Sequence, residues 1–138
     1  MKDDARRELK FQDHIIDSYK LAGGHARKWA TDLQVGMPDL ICSLLGYGCH
    51  LVEVKHRPSW KRGGAYANPL TEKQKFECNK YKMAGAKVHG FVIVEGAEAL
   101  GSQLAVFDPT TPEVQLLQHV PYVAGKKFNV VRLLGVLE

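Results

Sequence analysis

The stretch Pro38-Asp39-Leu40-Ile41-Cys42-Ser43-Leu44-Leu45-Gly46-Tyr47-Gly48-Cys49-His50-Leu51-Val52-Glu53-Val54-Lys55 decides how this chain folds. Two apolar runs, Leu40–Leu45 and Cys49–Lys55, flank Gly46-Tyr47-Gly48, whose glycines supply the backbone freedom of a tight hairpin. Ionisable residues stand where the apolar pattern wants none: Asp39 at the start of the first strand, Glu53 and Lys55 in the second. Residues two apart on a strand share a face, so Glu53 and Lys55 emerge together while Val52 and Val54 point the other way. Centring the turn on Tyr47 puts Asp39 across from Lys55, with Glu53 one diagonal step away.

Working outward, residues 4–22 are expected to form a helix. Asp3 or Asp4 would cap it, Ala5, Leu9, Gln12, Ile16 and Tyr19 would make its apolar stripe, and Gly23-Gly24 would end it. A short extended piece at His25–Ala30 and a polar turn at Thr31–Gly36 lead into the hairpin. After Lys55 the residues His56–Pro69 read as one long loop, the kind that is functional or mobile in a compact domain. A second helix starts at Thr71, with Gln74 completing a capping box, and runs to about Met83 before Gly85. His89–Val94 reads as a strand. Leu104–Phe107 and Val114–Leu117 read as a hairpin across Asp108–Pro112, and Val130–Leu137 as strand or short helix. This order predicts an α/β fold, a mixed central sheet flanked by helices, as one domain over residues 1–138.

Composition narrows the function. At 138 residues, 45% hydrophobic and 25% charged, the chain has the make-up of a soluble globule, not of a disordered tail or a fibre. No apolar run approaches the roughly 18–20 residues of a membrane span, so no membrane partner is expected. Met1–Arg7 lacks the apolar segment of a signal peptide. Three cysteines without a CxxC pair argue against a disulfide framework or structural zinc and for a reducing, cytoplasmic setting. Cys42, Cys49 and His50 read as small hairpin residues rather than zinc ligands. The six histidines show no HxxxH or HExxH spacing, and no phosphate-binding GxxxxGK[ST] loop occurs.

The charge is unevenly placed. Net charge is +4, yet from Lys55 to Lys87 nine basic residues (Lys55, Arg57, Lys61, Arg62, Lys73, Lys75, Lys80, Lys82, Lys87) face only Glu72 and Glu77. Such a patch suits a polyanion. In the long loop Arg57, Lys61 and Arg62 can pair with phosphates, while Trp60 and Tyr66 can stack on an unpaired base. Lys73, Lys75, Lys80 and Lys82 extend the basic surface along the second helix. There Gln74, Cys78 and Tyr81 share one face, and Phe76 and Met83 lie opposite, a candidate dimer contact.

Two carboxylates and an amine on a rigid sheet suit Mg²⁺, which takes hard oxygen ligands and a substrate phosphate. Here a family resemblance enters. Gly36-Met37-Pro38-Asp39, thirteen residues, then Glu53-Val54-Lys55 resembles the PD-(D/E)XK nuclease signature. Gly36–Ile41, Leu51–Lys55, Leu70-Thr71-Glu72-Lys73-Gln74-Lys75 and Ala84-Gly85-Ala86 resemble the VRR-NUC group of that superfamily. The resemblance covers about residues 5–95 and leaves 96–138 as additional strands or helix. It implies a restriction-endonuclease-like core with Asp39, Glu53 and the carbonyl of Val54 as Mg²⁺ ligands (Mn²⁺ substituting), Lys55 as catalytic lysine, and Gln74 at the mouth. It also implies a glutamate on the first helix, matched by Glu8. Members of the group that process branched DNA resemble Holliday-junction resolvases and act as dimers, so a homodimeric endonuclease on branched DNA is expected. A phage or mobile-element origin fits such a compact nuclease. A sequence-specific restriction- or homing-type nuclease and a non-catalytic DNA-binding module are the alternatives, and the residues do not separate DNA from RNA.

Overall fold

In chain order the elements are α1 (Lys2–Leu21), β1 (His25–Lys28), β2 (Leu40–Leu44), β3 (Gly48–Arg57), β4 (Tyr66–Ala67) and α2 (Glu72–Met83), followed by β5 (Lys87–Val94), β6 (Gln103–Phe107), β7 (Glu113–Val114), β8 (Gln118–Pro121) and α3 (Val130–Leu134). The computed structural model describes residues 2–29, 38–57, 66–67, 69–94, 103–111, 113–114, 118–121 and 127–135. The chain is α/β. Its six-stranded sheet has the order β1-β2-β3-β5-β6-β8, and a second sheet pairs β4 with β7. β3 and β5 are parallel and the other pairings antiparallel, so the sheet is mixed.

Strand alternation sorts the core into two layers. Leu40, Cys42, Val52, Val54, Phe91, Ile93, Leu104 and Val106 pack with Phe11, Ile15 and Tyr19 of α1 and Val130, Leu133 and Leu134 of α3. Leu51, Val88, Val92, Ala105 and Phe107 face the other way, against Cys78 of α2. The two central strands are thus covered on both faces, as parallel strands require. Among the described residues no helix is long and apolar enough to cross a membrane.

Four expectations are corrected. The first helix begins at Lys2, so Asp3 and Asp4 lie within its first turn and do not precede it. Its inward face is Phe11, Gln12, Ile15, Ser18 and Tyr19, while Leu9 is 55% exposed. The bulk of Phe11 and Ile15 turns the helix by about one position, which brings Glu8 to the edge of the buried face.

The hairpin register also differs. The connection is Leu45-Gly46-Tyr47, with Gly46 at φ 85° and the Tyr47 amide donating to the Leu44 carbonyl at 3.1 Å. Leu44 therefore opposes Gly48 and Leu40 opposes Val52. A two-residue shift preserves faces but changes partners, so Asp39 stands across from Glu53 and not from Lys55.

Third, His56 and Arg57 are strand, paired with Ile93 and Val94, and Tyr66 lies in β4, so the stretch after Lys55 is not one uninterrupted loop. Fourth, β6 pairs with β8, whereas Val114 pairs with Tyr66. The turn at Thr31–Gly36 and the side chains of Arg57, Trp60, Lys61, Arg62 and Tyr66 lie outside the described residues.

Candidate active site

One row of residues crosses five strands on the α2 face. The Trp29 amide donates to the Asp39 carbonyl at 3.0 Å, continuing the β1–β2 register by one step past Lys28–Leu40. Asp39 adjoins Glu53 one step past Leu40–Val52. Glu53 pairs with Gly90, and Gly90 with Phe107. A Cβ on Gly90 would overlap the Phe107 ring, so this glycine permits the ring to lie against the sheet beside Glu53. An isolated glycine inside the apolar run Lys87–Val94 is the signal that could have announced this close approach.

The Asp39 and Glu53 carboxyls act on each other across the register of β2 and β3. Glu53 is 1% exposed. Burial raises its affinity for a proton well above the ordinary carboxylate range, and the negative charges of Asp39 and Glu8 add to this, against the opposing pull of Lys55. Burial likewise raises Asp39, opposed by its contact with Glu53, by the Val54 amide and by Lys55. That amide donates to Asp39 Oδ2 at 2.8 Å. Gln74 Nε2 reaches Glu53 Oε1 at 3.4 Å, and Glu53 Oε2 is buried with no donor among the described residues.

The supports are local. Thr71 caps α2 with a complete capping box, its hydroxyl accepting from the Gln74 amide while Gln74 Oε1 accepts from the Thr71 amide. That box locks the Gln74 side chain, which leaves its Nε2 for Glu53. Cys78, one turn on, is buried next to the pair. Its thiol is pushed up to about 12, first by burial and then by the charges of Glu53 and Asp39, so it stays protonated and is no nucleophile.

Lys55 is half-buried on the same face as Glu53. Glu8 reaches the end of β3 from the opposite layer, where its Oε2 accepts from the His56 amide at 3.0 Å. Among the described residues no three His, Cys, Asp or Glu side chains converge as a metal-binding group; the Glu8 carboxylate is engaged by the His56 amide, and Asp39 and Glu53 are the adjoining pair. A divalent cation here would rest on those two carboxylates. Mg²⁺ needs no more, since it is held by one or two carboxylates and keeps several waters. The donor-less Glu53 Oε2 fits such a group, because a buried carboxylate oxygen requires a proton or a cation.

The basic surface is less open than the sequence suggests. On α2, Lys75 pairs with Glu72 (2.6 Å), Lys80 with Glu77 (3.7 Å) and Lys82 with Asp108 (2.7 Å). Lys73 is exposed. Exposed pairs of this kind hold by about 0–1 kcal/mol, so phosphate can displace them. Phe76 and Met83 are 60% and 80% exposed. Cys42 and Cys49 occupy alternate faces of the hairpin and are free thiols, as is Cys78.

A second polar cluster, missed in the sequence, sits at the other end of β3. His50 Nδ1 donates to the Gly48 carbonyl at 3.1 Å, which leaves Nε2 to accept from the Tyr19 hydroxyl at 2.6 Å. Tyr47 Oη meets His89 Nε2 at 2.6 Å, and the two imidazole centroids are 5.6 Å apart. No known protein family, curated protein or solved structure matches this chain.

Proposed function

We propose that this chain is a metal-dependent endodeoxyribonuclease with a restriction-endonuclease-like core, hydrolysing phosphodiester bonds in branched or otherwise irregular duplex DNA. One observation carries the reading: two carboxyl residues placed across from each other by the strand register, one of them buried with an oxygen that lacks a donor among the described residues. A module that only binds DNA has no use for a desolvated acid pair that repels phosphate. The resemblance of Asp39, Glu53-Val54-Lys55 and Gln74 to the VRR-NUC pattern supports the same reading.

Asp39 and Glu53 would hold Mg²⁺ or Mn²⁺, which when bound supplies an ionised water and stabilises charge building on phosphorus. Gln74 fixes the Glu53 carboxylate, and the Val54 amide fixes Asp39. Lys55 shares their face of the sheet, where its amine is suited to orienting a water or to neutralising a phosphate oxygen. Lys73, Arg57 at the end of β3, Lys61 and Arg62 would bind flanking phosphates. Phe76 and Met83 are the proposed homodimer contact, and an intracellular setting belongs to the same reading.

The test is cleavage of labelled single-stranded, linear duplex, flap and four-way-junction DNA of matched sequence, with Mg²⁺, Mn²⁺ or EDTA, beside Asp39→Ala. Metal-dependent cutting lost in Asp39→Ala, strongest on branched DNA, is the expected result. Salt-sensitive binding without cutting under either ion would replace it with the binding-module reading. One discrete product from a complex linear DNA would replace it with a sequence-specific nuclease.

A further inference from the structure

We propose that Trp29 and Tyr81 form a stacking platform for an unpaired DNA base beside the Asp39–Glu53 pair. The proposal deepens the nuclease reading and rests on it for the position of the scissile phosphate. Trp29 and Asp39 are cross-strand partners on one face, and neighbouring strands lie about 4.8 Å apart. A phosphate seated at the acid pair therefore has this indole as a close lateral neighbour.

The row is asymmetric about the acids. On one side Phe107 is fully buried over Gly90, the β5 partner of the buried Glu53. On the other, Trp29 directly follows β1, the edge strand of the sheet, and is half-buried. Tyr81 meets it from α2 at a centroid distance of 5.3 Å and an interplanar angle of 56°, and is half-buried too. A tilted pair at this distance is a stable aromatic contact, and both rings pack against the α2-side core while keeping partial exposure, the area on which a base would stack.

The platform is rigidly tied to the acids. Tyr81 continues the α2 face of Gln74 and Cys78, so the side chain that steadies Glu53 and the ring that backs Trp29 ride on one capped helix. Arg27 projects from the same face of β1 two residues earlier and is exposed, available to a neighbouring phosphate.

Stacking on an aromatic ring tolerates any base and strengthens binding by roughly five- to 150-fold per base. A paired base is already stacked within its helix. The platform therefore selects for a base freed by a branch, flap or gap, which gives a physical origin for preference toward irregular DNA.

The chain has two tryptophans, so Trp60→Phe leaves Trp29 as the sole indole reporter. That variant is titrated in EDTA, where nothing is cut, with short oligothymidylate and with a duplex of equal length. Expected are quenching of Trp29 emission by the single strand and, in Trp29→Leu, single-strand binding weaker by roughly tenfold, with duplex binding little changed. Trp29→Phe should recover part of the loss. Circular dichroism checks folding. If Trp29→Leu does not fold, quenching in the parent and its reduction in Tyr81→Leu decide. Unmoved emission despite binding, absence of single-strand binding, or wild-type affinity in folded Trp29→Leu would overturn the platform. Metal-dependent cutting of duplex is read separately. Cutting without quenching removes only the platform, and quenching without cutting removes only the nuclease reading.

Discussion

Phe107 lies over Gly90 in the volume a Cβ would need, and Gly90 is the β5 partner of Glu53. The ring is thus part of what dries the acid pair. Gly90→Ala must move the ring or the strand, at about 1–3 kcal/mol for overpacking. A thermal melt should show the loss. Because the displaced ring admits water beside Glu53, the variant should also lose more activity than its stability accounts for. Equal melting temperatures in the two proteins would contradict the packing.

The acid pair weakens the metal-free protein at neutral pH. Both carboxyls bind protons more tightly folded than unfolded, so stability falls as pH rises above the ordinary carboxylate range. Glu53→Gln removes one charge and gives Asp39 an amide donor. The metal-free variant should therefore melt several degrees above wild type at pH 7 while losing cleavage. Mg²⁺ should raise the melting temperature of wild type and not that of Glu53→Gln. A destabilised Glu53→Gln would show that the carboxylates support the fold instead.

The two-residue register shift shows what local pattern carries and what it does not. Alternation in Leu40–Leu44 and Val52–Lys55 determines faces, so Asp39, Glu53 and Lys55 were legible as one cluster. Which acid faces which depends on whether the turn centres on Gly46 or Tyr47, and glycines at both 46 and 48 leave that open. Thr71 and Gln74 were readable because a capping box is local. The pairing of β6 with β8, and of Val114 with Tyr66, is long-range and leaves no periodic trace. Trp29 escaped notice for a similar reason: its importance comes from standing across from Asp39, ten residues later in the chain.

The histidines at the far end of β3 should set an acid limit on stability. Burial lowers His50, helped by the Lys87 charge, and the Gly48 carbonyl opposes this. Burial lowers His89 to about 4, with His50, Lys87 and Lys82 adding to the effect and Asp108 opposing it. The unfolded chain therefore binds more protons, so stability is full above pH 6.5 and is lost as pH falls toward 4. For His89 the limiting loss is on the order of 3 kcal/mol. Urea melts of Glu53→Gln between pH 7 and pH 4 isolate this effect from the opposite trend of the acid pair. His89→Asn should flatten the curve, and an unchanged slope would place the acid sensitivity elsewhere.

The Glu8 carboxylate is engaged by the His56 amide, as Asp39 is by the Val54 amide, and its charge also reaches Glu53. Two separable effects follow. Glu8→Gln keeps an oxygen for the amide and should leave the melting temperature close to that of wild type. Glu8→Ala leaves the amide without that acceptor and should cost about 1–3 kcal/mol. Both remove a negative charge near the proposed cation site, so both should weaken Mg²⁺ binding, read as the concentration needed for half-maximal thermal stabilisation. An equal loss of Mg²⁺ affinity in the two, with stability lost only in the alanine, assigns Glu8 an electrostatic role distinct from its hydrogen bond. If Mg²⁺ affinity is unchanged in Glu8→Gln, the helix glutamate serves only to join α1 to the end of β3.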